Sequence, residues 1–120
     1  MPKPIESYND LDVWQLAMDI VSDVYRVTSP FPPDERFGLT SQLRRAAVSI
    51  PSNVAEGHSR LGAGEYRRFV SIARGSVGEV ETQLAIATRL GFSTADGVAG
   101  LESELKRLSK MLFSLYRRLA

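Results

Sequence analysis

Apolar residues recur along this chain at steps of three and four, the period of a helix that buries one face. No segment alternates with the period of two that a half-buried strand requires. The pattern therefore predicts an all-α protein. Its two clearest stripes are Tyr66, Val70, Ala73, Val77, Val80, Leu84 and Ala87, and then Val98, Leu101, Leu105, Leu108, Leu112, Leu115 and Leu119.

Helix breakers divide the first half of the chain into two predicted helices. The first covers residues 11–28, with Asn9 or Asp10 as its cap. Three prolines within residues 30–33 end it, and the second helix starts near Asp34 or Arg36. A kink is expected where proline 51 interrupts this second helix. The stripe of the first helix is Trp14, Ala17, Val21 and Val24, flanked by Val13, Ile20 and Val27.

Glycines at 57, 62 and 64 permit a reversal before a third helix over residues 65–90, and Ser93 or Thr94 caps a fourth. Four helices of similar length with short connections predict an up-down-up-down antiparallel four-helix bundle. The bundle covers residues 10–120, and residues 1–9 form an N-terminal arm. Apolar flanks on the first and third helices predict self-association, or alternatively only a wide core face.

Charge is unevenly distributed, although the 120-residue chain carries a net charge of only +1. Residues 1–35 sum to −5, residues 36–74 to +5 and residues 75–120 to +1. The absence of cysteine excludes disulfides and thiolate metal sites. Neither a signal peptide nor an apolar run of about 20 residues is apparent, which predicts a cytoplasmic protein without a membrane segment.

The basic middle segment supplies the candidate nucleic-acid-binding residues. Arg60, Arg67, Arg68 and Arg74 bracket the glycine turn and the start of the third helix, and the alternative is a solvated helix face. No aromatic platform is evident. Two further arginines can contact phosphate, or pair across the second and third helices with an acidic side chain. This second set is Arg44 and Arg45, with Glu79 or Glu81 as the acidic partner.

Polar and small residues crowd the contact predicted between the second and third helices. Ser49, Asn53 and Glu56 share one helix face, which predicts a structural hydrogen-bonded network with Glu79 and one arginine, or a ligand pocket. Mid-helix glycines favour close approach of another backbone. Gly75 and Gly78 are expected to meet the second helix near Ala46, Ala47 and Pro51.

Enzymatic chemistry has little support in the sequence. His58 is the single histidine, without cysteine or a carboxylate cluster at metal-ligand spacing, so no metal site is expected. Its neighbour Ser59 is adjacent only in sequence, which is no evidence for a catalytic triad. A nucleotide-using transferase lacks any recognisable phosphate motif here. We expect no catalytic residue and no cofactor.

Three stretches carry a resemblance to a known family. LDVWQLA (11–17), FPPDERFGLTSQLRRAAVSIPSNVAEG (31–57) and EYRRFVSIARGSVGEVETQL (65–84) are similar to four-helix-bundle proteins encoded by intervening sequences within bacterial 23S rRNA genes. That family includes the accessory variability proteins of diversity-generating retroelements. The resemblance implies a ring-like homopentamer without known enzymatic activity. For the retroelement members it implies RNA or DNA and a reverse transcriptase as partners.

Two functions follow from the resemblance and the residues together. One is a non-enzymatic accessory factor that binds nucleic acid through the arginine-rich middle. The other is an oligomeric scaffold for a protein partner. The retroelement proteins are notably basic, and a net charge of +1 departs from that character. Phosphate contacts would make nucleic-acid binding strongly salt-dependent, which distinguishes the two.

Overall fold

A computed structural model describes residues 4–120, which form four long helices and two short 3-10 turns. No strand occurs between residues 4 and 120, so the all-α prediction is confirmed. The turns are Tyr8–Asp10 and Pro33–Glu35. The helices are α1 (Asp12–Thr28), α2 (Leu39–Ser59), α3 (Ala63–Arg89) and α4 (Ala95–Arg118).

The four helices pack as a cyclic bundle in which each contacts its two neighbours. The contact between α2 and α3 is the most extensive, and within residues 4–120 no Cα atoms of diagonally opposite helices lie within 8 Å of each other. Side-chain bonds fix the direction of α3 against α4, since Arg67 reaches Tyr116 and Arg74 reaches Ser109. Later positions on α3 thus meet earlier positions on α4, as an antiparallel pair requires. The four-helix bundle is therefore confirmed.

The core contains the predicted stripes of α3 and α4, in which Leu84, Leu105 and Leu108 are fully buried. Burying one such leucine contributes about 1.5–3 kcal/mol relative to leaving it exposed. In α1 the predicted stripe is displaced, because its most buried residues include two assigned to the flank. These residues are Val13, Leu16, Ala17, Ile20 and Val24, whereas Trp14 and Val21 are half-buried.

Helix α2 begins later than predicted. Residues 33–35 form a separate 3-10 turn, and Gly38 is the N-cap with φ −110° and ψ −117°, outside helical geometry. Glu35 completes this start, since its Oε1 accepts the Leu39 N–H at 3.1 Å. The expectation of a start at Asp34 or Arg36 was therefore wrong. The helix continues without interruption through Pro51 to Ser59.

Two other predicted caps have opposite outcomes. Thr94 caps α4, because its Oγ1 accepts the Gly97 N–H at 3.0 Å, as predicted. Asn9 and Asp10 do not cap α1, since both belong to the preceding 3-10 turn and Asp10 accepts the Glu6 N–H at 2.9 Å.

The predicted N-terminal arm is partly structured. Residues 1–3 lie outside the described chain, whereas Tyr8 contacts Trp14 edge-on, with ring centroids 5.5 Å apart. This contact connects the end of the arm to α1.

Candidate nucleic-acid interface and neighbouring polar sites

The antiparallel pairing of α3 and α4 brings two basic segments together. The first half of α3 lies beside the second half of α4, and together residues 60–74 and 105–120 contain nine basic side chains against one acid, Glu65. Their net charge of +8 compares with +1 for the whole chain, so the remainder carries −7. We call these nine residues the basic surface: Arg60, Arg67, Arg68, Arg74, Lys106, Arg107, Lys110, Arg117 and Arg118.

Two arginines of the basic surface bridge α3 to α4 in the same way. Arg67 Nε donates to the Tyr116 carbonyl and Arg74 Nε donates to the Ser109 carbonyl, both at 3.2 Å. The Arg67 guanidinium lies 3.8 Å from the ring centroid of Tyr116, and that of Arg74 lies 5.0 Å from the ring of Phe113. These contacts orient both guanidiniums. Because only Nε–H is used, their terminal N–H groups can still bind an anion.

The other two predicted arginines are held by exposed ion pairs and by the Phe69 ring, whose centroid lies 5.1 Å from each guanidinium carbon. Arg60 bonds Glu56 at 2.8 Å and Arg68 bonds Glu65 at 3.5 Å. The hydrogen bond from Glu56, together with its charge, raises the pKa of Arg60 above its ordinary value. Exposed pairs of this kind contribute little to stability, so an incoming phosphate can compete with the carboxylates.

Aromatic side chains of α4 complete this surface, although no aromatic platform is evident in the sequence. Phe113 is 44% exposed, and Tyr116 is half-buried one turn later. They border a cleft of about 380 Å³ between the helices. The basic residues of α4 were likewise missed. Their sequence signal was a run of basic residues without acids over 105–120.

The predicted polar network is present in part. Ser49 Oγ lies 2.6 Å from Ser76 Oγ on α3, and Asn53 Nδ2 donates to the Ser49 carbonyl at 2.7 Å. Ser76 is buried and is not among the predicted members of the network. Glu56 instead bonds Arg60. Glu79 lines an open groove shared with Ser49 and Asn53, which we call the α2–α3 groove.

Arg44 extends toward α1 and not toward α3. Its Nε donates to Thr28 Oγ1 at 2.9 Å, and its guanidinium lies 4.5 Å from the Tyr25 ring centroid. No carboxylate of residues 4–120 lies within 4.0 Å of Arg44 or Arg45. The predicted alternative, an ion pair of Arg44 or Arg45 with Glu79 or Glu81, is therefore wrong.

The close approach between α2 and α3 occurs at a different glycine from those predicted. A Cβ added at Gly57 would lie 2.7 Å from the Phe69 Cβ and 3.2 Å from the Tyr66 carbonyl oxygen. A Cβ at Gly75 or Gly78 would meet nothing within 4 Å. The expectation that these two glycines contact α2 was wrong, because both lie on the exposed side of α3.

His58 packs against an aromatic ring, with its centroid 5.5 Å from that of Tyr66. Burial raises the pKa of Tyr66 above its ordinary value of 10.0, and the nearby charge of Arg118 acts in the opposite direction. Over residues 4–120 no group of three or more His, Cys, Asp or Glu side chains is arranged to hold a metal ion. In the same range, no helix combines the length and apolarity needed to cross a membrane.

Comparisons with known proteins agree with this architecture. The 23S rRNA-intervening sequence protein family matches residues 9–114. A crystal structure of a protein of unknown function from Bacteroides thetaiotaomicron, assigned to the S23 ribosomal protein family, superposes with a TM-score of 0.78. It is 18% identical in sequence, and the match covers 87% of this chain and 97% of that one. This likeness shows a shared fold. Comparison with curated proteins gives no significant match.

Proposed function

We propose, from the premise that the chain belongs to the 23S rRNA-intervening sequence protein family, that it is a non-enzymatic accessory factor that binds RNA in the cytoplasm. The observation that carries this proposal is the segregation of charge. Residues 60–74 and 105–120, which the antiparallel pairing of α3 and α4 brings together, contain nine basic side chains and one acid in a chain whose net charge is +1. Glu56 and Glu104 pair with two of the nine from outside these segments. A phosphate backbone is the ligand that such a surface attracts most strongly.

The aromatic residues favour RNA with unpaired bases. Bases in loops and single strands can stack on Phe113 and Tyr116 while phosphates contact the adjacent arginines. Stacking accepts every base, because every base has a π-face. Binding is therefore expected to depend weakly on sequence and strongly on salt.

The proposal includes a second copy of this chain as a partner. Phe37 is 84% exposed beside the α2–α3 groove, and Ile72 and Ile86 are partly exposed along α3. In the same groove the Oε1 atom of Gln83 is buried without a hydrogen-bond partner in residues 4–120. A second chain would cover the apolar side chains and supply a donor. The family resemblance gives the number five, and a closed ring would repeat the basic surface once per subunit.

Sedimentation equilibrium tests the oligomer. We expect a mass near five times 13.3 kDa at micromolar concentration. Phe37→Ser and Ile72→Ser should each reduce the mass, because both remove apolar area from the groove edge. A 13.3 kDa species at the same concentration would contradict self-association.

Salt titration of binding to a structured RNA tests the function. Wild type is compared with Arg67→Ala/Arg68→Ala and with the control Arg26→Ala/Arg89→Ala, which removes the same charge outside the basic surface. Losing two phosphate contacts should lower the slope of log K against log salt by about 1.5. The control should keep the wild-type slope.

The alternative function is an oligomeric scaffold for a protein, such as a reverse transcriptase. The observation that favours it is Leu61, which is 95% exposed at the turn between α2 and α3, beside Arg60. No binding to RNA at low salt, or binding that the Arg67→Ala/Arg68→Ala variant leaves unaltered, would favour this alternative.

A further inference from the structure

Three arginines line one open pocket between α1 and α2, away from the basic surface. Arg36, Arg44 and Arg45 share a volume of about 590 Å³ with the side chains of Tyr25, Thr40 and Ser41. No acidic residue lines it. Glu35, the neighbour of Arg36 in sequence, is occupied in capping the Leu39 N–H. The pocket thus combines three positive charges with hydroxyl groups.

Arg44 is already oriented in this pocket. Thr28 Oγ1 donates its proton to the Val24 carbonyl at 2.8 Å, so it is available as an acceptor for Arg44 Nε at 2.9 Å. The Tyr25 ring fixes the plane of the guanidinium. Both contacts leave the terminal N–H groups of Arg44 for a ligand. Because the side chain is ordered in advance, less conformational entropy is lost on binding.

The charges of these arginines are uncompensated. Across residues 4–120 none of the three has a carboxylate within 4.0 Å, whereas Arg26, Arg60, Arg68 and Arg107 each have one. Arg44 is half-buried, and a partly desolvated charge without a partner is unfavourable. An anion in the pocket would relieve this cost and the repulsion among the guanidiniums.

We propose that this pocket binds a phosphate monoester. A monoester presents three terminal oxygens and close to two negative charges near neutral pH, which matches three guanidinium forks. A phosphodiester within a nucleic-acid chain presents two free oxygens and one charge, and matches them less well. The site is independent of the proposed RNA-binding surface, because its residues belong to neither α3 nor α4.

NMR titration of the arginine Nε–Hε resonances with inorganic phosphate tests the site. We expect saturable 1:1 shifts at Arg44 in the wild type. Arg44→Gln and Arg45→Gln should each weaken binding about tenfold or more, since each removes a charge-assisted hydrogen bond. Arg45 is exposed in the single chain, at the edge that the pocket shares with the α2–α3 groove, so its variant keeps the test valid if Arg44→Gln fails to fold. The control Arg26→Gln, with the same charge change outside the pocket, should bind like the wild type.

Two RNA hexamers that differ only in a 5′-phosphate or a 5′-hydroxyl identify the source of the phosphate. Stronger Arg44 shifts with the phosphorylated hexamer than with inorganic phosphate assign the site to a nucleic-acid terminus. Stronger shifts with inorganic phosphate assign it to small phosphate compounds. Arg44 shifts that do not saturate would overturn the proposal. So would phosphate binding that is weakened as much by Arg26→Gln as by Arg45→Gln. Arg67→Ala/Arg68→Ala should keep phosphate binding, so failure of RNA binding and failure of this site are distinguishable.

Discussion

The two sides of α3 are joined to their neighbours by opposite means. Toward α2 the contact relies on small residues, with Gly57 against Phe69 and a serine–serine bond only 2.6 Å long. Toward α4, two arginine side chains cross to backbone carbonyls at 3.2 Å. At Gly57 the α2 and α3 backbones are so close that even an added Cβ atom would overlap its neighbours. Long charged side chains leave a cleft between the helices and present their guanidiniums at its edge.

We therefore expect residues on the α2 side of α3 to contribute mainly to stability and residues on the α4 side to contribute mainly to RNA binding. At Gly57 and Ser76 the α2–α3 contact is buried and closely packed, so these residues contribute mainly to folding. The α3–α4 edge keeps charge and aromatic surface accessible to a ligand. Substitutions toward α2 should therefore change the free energy of unfolding, and substitutions toward α4 should change it little.

The largest predicted effect contrasts two glycines on the two sides of this comparison. Gly57→Ala should destabilise the protein by about 1–3 kcal/mol, because the new Cβ would overlap the Phe69 Cβ and a backbone carbonyl that cannot move freely. Gly75→Ala, in open space, should stabilise it by roughly 0.5–1 kcal/mol through better helix propensity. Urea denaturation of both variants measures the two values. Equal changes in the free energy of unfolding for Gly57→Ala and Gly75→Ala would contradict the difference between the two sides of α3.

These glycines also show where sequence reasoning stops. The heptad spacing of Val70, Val77 and Leu84 predicts correctly that these residues are buried, because apolar residues at this spacing lie on one face of a helix and that face packs into the core. A glycine carries no such information, since it is tolerated both in a crowded contact and on an open face. The sequence predicts that Gly57 permits a reversal and that Gly75 and Gly78 make the close approach, whereas the structure places the close approach at Gly57.

The candidate site was predictable to a similar extent. The arginines of α3 stand out by local charge. Phe113, Tyr116 and the basic residues of α4 join them only through antiparallel pairing, which is a tertiary relationship. For the same reason the distance from Ser49 to Ser76, 27 positions along the chain, is not visible in sequence spacing.

The next prediction concerns the polar network within the α2–α3 contact. Asn53→Ala should cost about 1–1.5 kcal/mol, because it removes a side-chain hydrogen bond to the Ser49 carbonyl in a partly buried site. Glu56→Ala should cost less than about 0.5 kcal/mol, because its pair with Arg60 is exposed on both sides. Thermal and urea denaturation of both variants test this ranking. A larger loss of stability for Glu56→Ala than for Asn53→Ala would mean that Glu56 belongs to the polar network after all.

The smallest predicted effect is on the α4 side. Arg67→Lys/Arg74→Lys keeps both charges but loses the planar group that bonds a carbonyl while stacking on a ring. Stability should fall by about 0.5–1 kcal/mol in total, since these contacts are only partly buried. Arg68→Lys is the matched control, because Arg68 makes no bond to α4 and its pair with Glu65 is exposed. Denaturation should give wild-type stability for Arg68→Lys. A loss above about 2 kcal/mol in the double variant would mean that the arginine bridges hold α4 in place, and that this side of α3 is as structural as the other.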